Sequence, residues 1–309
     1  VFIMSIDKTK VSILPKSLPA FDKAIGDAGS VNVDLDPSVG AIIWTDYSDP
    51  LGLAQVLQEN PQIEFVQLPF AGVDAFQEVI KLPIRFACAK GSYREPVAEH
   101  ALMLCMALGR KIPERVMAKS WGEKFAASLY DANVLIVGGG GITEELIKQL
   151  DPFRAKITVV RNRAINLPGA DLVIQQGDLD KHLPAADWVI LACSLTDKTK
   201  GLFDYQRLSL MKPTAYLVNV ARGGVIVTDD LTKALNQGII AGAGVDVTDP
   251  EPLPDGHSLW NAKNIIITPH TADTNAQVVR LFSQRIKENL LAYQGLGPWV
   301  GLVDPELGY

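Results

Sequence analysis

Short apolar runs rich in Val and Ile recur along this 309-residue chain and alternate with helical patterns. Each run is apolar nearly throughout, which is typical of parallel strands buried on both faces of a sheet. Alternation of strands with helices predicts sheets wound by right-handed crossovers. The sequence therefore predicts an α/β protein with two doubly wound parallel-sheet domains. The first series of runs is 10–14, 41–45, 63–68 and 84–89, and the second is 133–138, 156–161, 171–175, 187–193, 215–221, 242–247 and 265–269.

Two helical patterns mark where the chain passes between these domains. Residues 95–114 carry apolar residues at helical spacing, and Pro96 suits a helix start, so we interpret this segment as one long helix that joins the domains. Residues 276–293 form the last helical pattern and are expected to cross back to the first domain. The predicted domains are a smaller one at 1–96, completed by 284–309, and a larger one at 97–283.

Charge and composition exclude several classes of function. A net charge of −6 argues against a sequence-independent nucleic-acid binder, whose affinity depends on a basic surface. No apolar run is long enough to span a bilayer. Cys88, Cys105 and Cys193 lie in apolar stretches without metal-ligand spacing, which favours reduced thiols in a cytoplasmic protein. We expect no metal, nucleic acid or membrane as a partner.

A glycine-rich turn follows the first strand of the second series. Gly138 and Gly140 stand between that strand and a helical pattern, which is the context of a dinucleotide-binding fingerprint. Glycines allow the tight turn and the approach of a pyrophosphate, and the helix N-terminus offers free N–H groups. Thr143 replaces the third glycine of the pattern, so a slightly wider helix approach is expected. The predicted cofactor-binding residues of this turn are Gly138, Gly140, Gly141, Ile142 and Thr143.

The next strand ends in two arginines rather than in an acid. An Asp or Glu here usually binds the ribose 2′-hydroxyl of NAD. This chain instead has Arg161, Asn162 and Arg163, and two guanidinium groups suit a 2′-phosphate. The sequence therefore predicts NADP as the preferred cofactor, with NAD possible. The alternative is that the arginines are a solvated surface pair.

Three polar residues each follow an apolar run, and they are Arg222, Glu251 and His270. Ligands of a parallel α/β sheet bind beyond the carboxyl ends of its strands. Arg can grip a carboxylate with two parallel hydrogen bonds, and His is the side chain most easily poised near neutral pH. Together they predict a site for an acidic substrate and a proton transfer. Arg222 could instead be a structural ion-pair partner, and Glu251 a residue of the loop surface.

Several longer motifs bring these residues into one family pattern. The chain resembles the D-isomer-specific 2-hydroxyacid dehydrogenase family, and its motifs are most similar to those of the glyoxylate and hydroxypyruvate reductases. The resemblance implies a Rossmann dinucleotide-binding domain and a smaller flavodoxin-like substrate domain. It also implies reversible reduction of a small 2-oxo acid to the D-2-hydroxy acid. The motifs are FAGVDAF (70–76), GSYREPVAEHAL (91–102), GGGGIT (138–143), ACSLTDKTKGLF (192–203), NVARGGVIVTDDLTKAL (219–235), GVDVTDPEPLP (244–254) and TPHTA (268–272).

The resemblance assigns roles to particular positions. Arg222 matches the Arg that holds the substrate carboxylate and carbonyl, His270 matches the proton donor, and Glu251 matches the acid paired to that imidazole. The other matching positions are Ala71, Gly72 and Val73, whose backbone would cradle the substrate carboxylate, and Ser194, Val220 and Asp246, which would line the cofactor with His270.

The sequence also indicates an oligomeric state and leaves alternative functions open. The helix after Pro96 and the segment 118–130 resemble the family's dimer arm, which implies a homodimer. His100 lies in that apolar helical pattern and is interpreted as a packed or interface residue. The main alternative function is a nucleotide-sensing corepressor of the same fold. A related hydrolase with bound NAD is a second alternative, but its thiol and lysine chemistry has no counterpart in this chain.

Overall fold

A computed structural model describes residues 5–306 and 308 of the chain. The helices and strands of this part are β1 (Lys10–Leu14), α1 (Pro19–Asp27), β2 (Val31–Asn32), β3 (Ala41–Trp44), α2 (Pro50–Glu59), β4 (Phe65–Gln67), β5 (Arg85–Ala87), α3 (Arg94–Gly109), α4 (Ile112–Met117), β6 (Asn133–Val137), α5 (Gly141–Leu150), β7 (Lys156–Val160), β8 (Leu172–Ile174), α6 (Leu179–His182), β9 (Trp188–Leu191), α7 (Tyr205–Leu208), β10 (Tyr216–Asn219), α8 (Thr228–Gln237), β11 (Gly242–Val245), β12 (Ile265–Ile267) and α9 (Asn275–Tyr293).

The first compact unit contains the residues up to Tyr93 and those from Thr274 onward. Its five strands are all parallel and lie in the order β2-β1-β3-β4-β5, which is the flavodoxin-like order. Helix α9 packs against α1 in this unit, where the Phe282 ring meets the Phe21 ring edge-on at 5.3 Å between centroids. The predicted flavodoxin-like domain is thereby confirmed.

The second unit spans residues 94–273. Its seven strands are also parallel and lie in the order β12-β11-β10-β9-β6-β7-β8. The chain starts at β6, builds outward through β7 and β8, and then returns to add β9 on the other side. The strand order thus reverses between β6 and β9, and ligands of such sheets bind at the carboxyl ends beside this switch point. The Rossmann prediction is confirmed.

The predicted helix over 95–114 is wrong in one respect. Helix α3 ends at Gly109, Lys111 takes a left-handed backbone with φ 51°, and α4 begins at Ile112 with Pro113 in its first turn. The apolar spacing continues through this break, but a proline inside a helix would leave a backbone carbonyl without its donor. Helix α3 lies wholly in the second unit. The domain boundaries at 96/97 and 283/284 stay predictions, and α9 runs through the second of them without interruption.

Two properties of the described residues concern membranes and metal ions. None of the helices formed by residues 5–306 is long and apolar enough to cross a membrane. In the same part of the chain, no group of three or more His, Cys, Asp or Glu side chains is arranged to hold a metal ion. Cys105 is fully buried, and this burial raises the pKa of its thiol to about 12, so it is a packing residue.

Candidate active site

The glycine-rich turn lies at the switch point of the larger sheet. Gly138 follows β6 with φ +117°, a backbone conformation that favours glycine. A Cβ at this position would overlap the Ala192 carbonyl, which belongs to the loop after β9. Gly140 caps α5, and a Cβ there would meet no atom within 4 Å. The first glycine is therefore required by protein packing, while the second leaves open space before the helix N-terminus.

Thr143, the departure from the fingerprint, is accommodated by a hydrogen bond. The side chain is fully buried in the first turn of α5, and its hydroxyl donates to the Gly138 carbonyl at 2.8 Å. The threonine thus ties the helix to the turn at the position where a third glycine allows close packing. The expected wider helix approach stays a prediction.

Arg161 lies directly beside the glycine turn. It follows β7, and a Cβ added to Gly139 would stand 3.0 Å from both Cδ and Nε of Arg161. The Arg161 side chain therefore runs alongside Gly139, and the missing side chain leaves room for it. Asn162 and Arg163 continue the same loop and are exposed. A guanidinium beside the turn and a second one exposed nearby are cations suited to an anionic group on a bound nucleotide.

The remaining predicted cofactor positions lie on the loops after the neighbouring strands. Ser194 is exposed on the loop after β9, and its carbonyl accepts the Thr199 hydroxyl at 2.7 Å. Val220 directly follows β10 and is 6% exposed. Both positions lie on the loops of strands that pair directly, β9 and β10, at the carboxyl edge that holds the glycine turn. Their role in binding stays a prediction.

Arg222 is presented by a tight turn after β10. The buried Asn219 holds this turn: its Oδ1 accepts the Ala221 N–H at 3.0 Å, and its amide donates to the Arg222 carbonyl at 3.1 Å. Arg222 Nη1 donates to the Ala221 carbonyl at 2.8 Å. A Cβ on Gly223 would overlap the Thr248 carbonyl, so this glycine is required because two protein loops meet here. The Arg222 turn therefore packs against the loop that leads from β11 to Glu251.

Glu251 and His270 come together across the ends of β11 and β12. Glu251 Oε1 lies 2.6 Å from Nδ1 of His270, with the two side chains 39% and 49% exposed. A carboxylate only accepts hydrogen bonds, so Nδ1 carries the proton and Nε2 points away from the carboxylate. Such an imidazole can donate or accept a proton through Nε2. The structure thus brings these two residues together, and their catalytic roles stay predictions.

The backbone of His270 is held in an unusual conformation. Its φ is +53°, in the left-handed region that non-glycine residues rarely adopt. The His270 N–H donates to the carbonyls of Asp246 at 2.8 Å and Thr268 at 3.0 Å. The Asp246 carboxylate also accepts the N–H groups of Thr271 at 2.9 Å and Ala272 at 3.2 Å. Asp246 therefore fixes the loop on both sides of the imidazole.

The predicted cofactor role of Asp246 stays a prediction, and its surroundings show a structural one. The residue is 2% exposed, and burial opposes its ionisation. Hydrogen bonds from His100, Thr268 and the Thr271 N–H outweigh that burial and hold the pKa of Asp246 below its ordinary value. The pKa of Asp273, three residues after His270, is shifted in the opposite direction, because burial raises it.

Sequence reasoning missed His100 as a member of this group. Its Nε2 lies 2.9 Å from Thr268 Oγ1 and 3.3 Å from Asp246 Oδ1, and its side chain is 13% exposed. The apolar helical pattern around it indicates a packed or interface residue instead. A helical His directed at the carboxyl ends of β11 and β12 can be recognised only when the strand order is known.

Ala71, Gly72 and Val73 belong to the first unit, on the loop after β4. Ala71 is exposed and Val73 is buried. The Cys88 thiol contacts the Ala71 carbonyl at 3.4 Å, and the Gln77 amide donates to the Val73 carbonyl at 3.2 Å. The loop is therefore held by its carbonyl groups.

A Rossmann sheet with a glycine turn at its switch point defines a dinucleotide-binding protein, and comparisons with known proteins narrow the class. The family model for "D-isomer specific 2-hydroxyacid dehydrogenase, NAD binding domain" matches residues 101–272. An uncharacterized protein in the proB 3′ region of Corynebacterium melassecola is 40% identical over 82% of this chain and 85% of its own length. The glyoxylate reductase/hydroxypyruvate reductase of Mus musculus is 32% identical over 72% of this chain and 71% of its own.

A solved structure agrees over nearly the whole chain. The D-isomer specific 2-hydroxyacid dehydrogenase of Xanthobacter autotrophicus Py2, in complex with NADPH and MES, has a TM-score of 0.84 and 25% identity, covering 97% of this chain and 99% of that one. The chain belongs to the D-isomer-specific 2-hydroxyacid dehydrogenase family. It is accordingly an NAD(P)-dependent oxidoreductase, as the sequence predicted.

Proposed function

We propose that this enzyme reduces a small 2-oxo acid to the D-2-hydroxy acid with NADPH, with His270 as the proton donor. The observation that carries the proposal is the 2.6 Å hydrogen bond between His270 Nδ1 and Glu251 Oε1 at the carboxyl edge of a Rossmann sheet. Relatives named glyoxylate reductase or glyoxylate reductase/hydroxypyruvate reductase support this substrate class rather than the corepressor alternative.

His270 and Glu251 carry out the proton transfer. Glu251 accepts the Nδ1–H and orients the ring. Nε2 then donates its proton to the carbonyl oxygen at C2 of the substrate, so that full alkoxide charge does not develop. The left-handed backbone conformation of His270 fixes the direction in which its side chain projects from the loop, and this direction sets the position of Nε2.

Arg222 binds and polarises the substrate. Its guanidinium can form two parallel hydrogen bonds to the carboxylate of a 2-oxo acid, which fixes the position of the adjacent carbonyl. Asn219 holds the turn that carries Arg222, and Gly223 packs closely against Thr248. These contacts keep the Arg222 turn beside the loop that leads to Glu251. The backbone N–H groups of Ala71, Gly72 and Val73 are the proposed second contact for the substrate carboxylate.

The residues around the glycine turn fit NADP. Gly140 and the α5 N-terminus would receive the pyrophosphate, and Ile142, Ser194 and Val220 would line the cofactor. Arg161 and Arg163 would bind the 2′-phosphate. When bound, NADPH supplies the hydride that this chain's own residues cannot provide.

The two arginines should set the choice of cofactor. Each charge-assisted hydrogen bond contributes about 1.5–3 kcal/mol, so replacing both Arg161 and Arg163 by serine should raise the KM for NADPH by about 100-fold or more. The KM for NADH, which lacks the 2′-phosphate, should barely change and serves as the control in the same variant. Steady-state kinetics with both cofactors measure this, and equal use of NADPH and NADH by the unaltered enzyme would contradict the assignment.

We also propose a homodimer formed through the surface of α3 and the segment after it. Exposed apolar side chains are concentrated along this part of the chain, and such a concentration is typical of an interaction surface. The exposed members are Met103 (40%), Met106 (51%), Ile112 (46%), Val116 (74%), Met117 (73%), Trp121 (89%) and Phe125 (48%).

Sedimentation of a matched pair of variants tests this surface. Val116→Glu should convert the dimer to a monomer, because a charge would be buried in the interface. Leu51→Glu is the control, because Leu51 is 81% exposed but lies in the first unit, on α2. A monomer at every concentration for the unaltered chain, or equal effects of the two substitutions, would show that the surface is not the dimer interface.

A further inference from the structure

A polar cluster connects helix α3 to the loop that carries His270. It consists of His100 from α3, Asp246 at the end of β11 and Thr268 at the end of β12. Thr268 Oγ1 donates to Asp246 Oδ1 at 2.6 Å, and His100 Nε2 lies 2.9 Å from the same Thr268 oxygen. All three residues belong to the second unit.

Counting protons decides which atom of His100 is the donor. A threonine hydroxyl has one proton, and Thr268 gives it to Asp246. The Thr268 oxygen can therefore only accept from His100, so Nε2 of His100 carries a proton. That N–H also faces Asp246 Oδ1 at 3.3 Å. His100 thus directs a hydrogen-bond donor into a group that contains a buried carboxylate.

The same carboxylate determines the conformation of the next residues. Asp246 accepts the N–H groups of Thr271 and Ala272, and its own carbonyl accepts the His270 N–H at 2.8 Å. A non-glycine residue in the left-handed region persists only when its surroundings fix it. For His270, these surroundings are Asp246 and the groups that fix Asp246.

We propose that His100 is a positioning residue for the proton donor: its Nε2–H holds Thr268 and Asp246, and these hold the loop 268–272 in the conformation that presents His270. The inference rests on the proposed role of His270. His100 does not touch the reacting atoms in this account. A shift of about 1 Å in a reacting group can lower a rate by up to about 100-fold, so a lost donor in this cluster should be visible in kcat.

Two amide substitutions separate the hydrogen bond from simple packing. Glutamine carries its amide nitrogen about as far from the backbone as His Nε2, whereas asparagine is one methylene shorter and cannot reach Thr268. Both are neutral amides, so they are matched in charge and chemistry. His100→Gln should keep kcat within about threefold of the unaltered enzyme. His100→Asn should lower kcat by about tenfold to 100-fold, while the KM for the 2-oxo acid and the Kd for NADPH change little.

A second pair of variants covers the case in which His100→Asn fails to fold. Thr268→Ser keeps the hydroxyl and should remain active, whereas the similarly shaped Thr268→Val removes both hydrogen bonds and should lower kcat as His100→Asn does. If His100 and Thr268 act through one network, the double variant His100→Asn/Thr268→Val should lose no more kcat than the more impaired single variant. The reason is that the effects of coupled residues do not add.

Three comparisons of kcat among these variants test whether His100 positions the proton donor. Retained kcat in both His100→Asn and Thr268→Val would overturn the inference, and so would equal losses in His100→Gln and His100→Asn. Purely additive losses in the double variant would overturn it as well. Failure of the proposed function is distinguishable, because it would appear in the unaltered enzyme or in His270→Asn, before any variant of His100 is considered.

Discussion

Replacing His270 by asparagine should lower the rate of 2-oxo acid reduction by about two to four powers of ten, the usual contribution of a positioned general acid. The expected loss follows from the geometry, in which Glu251 accepts the Nδ1–H at 2.6 Å and leaves Nε2 as the donor. Asparagine is the informative replacement because, like histidine, it tolerates the left-handed backbone found at this position. The loop 268–272 should therefore keep its conformation.

Binding and folding provide the controls for this variant. Fluorescence titration should give a Kd for NADPH close to that of the unaltered enzyme, because most of the proposed nucleotide contacts lie on the loops after β6, β7, β9 and β10. Thermal unfolding should also change little, since the His270 side chain is half exposed. A His270→Asn enzyme that kept most of its activity would show that the proton comes from another group.

Arg222→Lys should raise the KM for the 2-oxo acid by about tenfold to 100-fold, with a smaller change in kcat. Lysine keeps the positive charge but loses the planar fork that binds a carboxylate through two hydrogen bonds. One lost charge-assisted hydrogen bond corresponds to about 1.5–3 kcal/mol. Steady-state kinetics in the 2-oxo acid, at saturating NADPH, measure this effect.

Arg154→Lys is the matched control for this substitution. Arg154 also binds a carboxylate through two nitrogens, at 3.0 and 2.9 Å from Asp131, but this pair lies on the exposed surface. Surface pairs of this kind contribute little to stability, and this one contacts none of the proposed site residues. Unchanged substrate KM in Arg222→Lys, or an equal rise in Arg154→Lys, would contradict the role given to Arg222.

The sequence predicted most of the fold because buried parallel strands are apolar throughout. The runs from 10–14 to 265–269 all contain strands of the two sheets. Strand β2 was missed since it has two residues, Val31 and Asn32, both exposed, and gives no such signal. The break between α3 and α4 was missed for a different reason: the apolar spacing continues through it, and the left-handed Lys111 has no sequence pattern of its own.

The sequence pattern predicts site residues only where strands that are consecutive in the chain are also neighbours in the sheet. Arg222, Glu251 and His270 each follow a strand, and β10, β11 and β12 are neighbours in the sheet, so pattern alone placed them at one edge. His100 comes from a helix 168 residues before Thr268, and nothing in the sequence connects the two. Glycine positions were ambiguous as well: Gly223 is required by the Thr248 carbonyl rather than by a ligand alone.

The unaltered enzyme should reduce small 2-oxo acids with NADPH and give the D-isomer of each chiral product. The most direct measurement follows NADPH consumption with a panel of 2-oxo acids, with glyoxylate and hydroxypyruvate first, and determines the configuration of each chiral product. We expect NADPH to be consumed in proportion to the 2-hydroxy acid formed, each chiral product to have the D-configuration, and NADH to be used less well. NADPH consumption with none of the 2-oxo acids, or a product of the L-configuration, would contradict it.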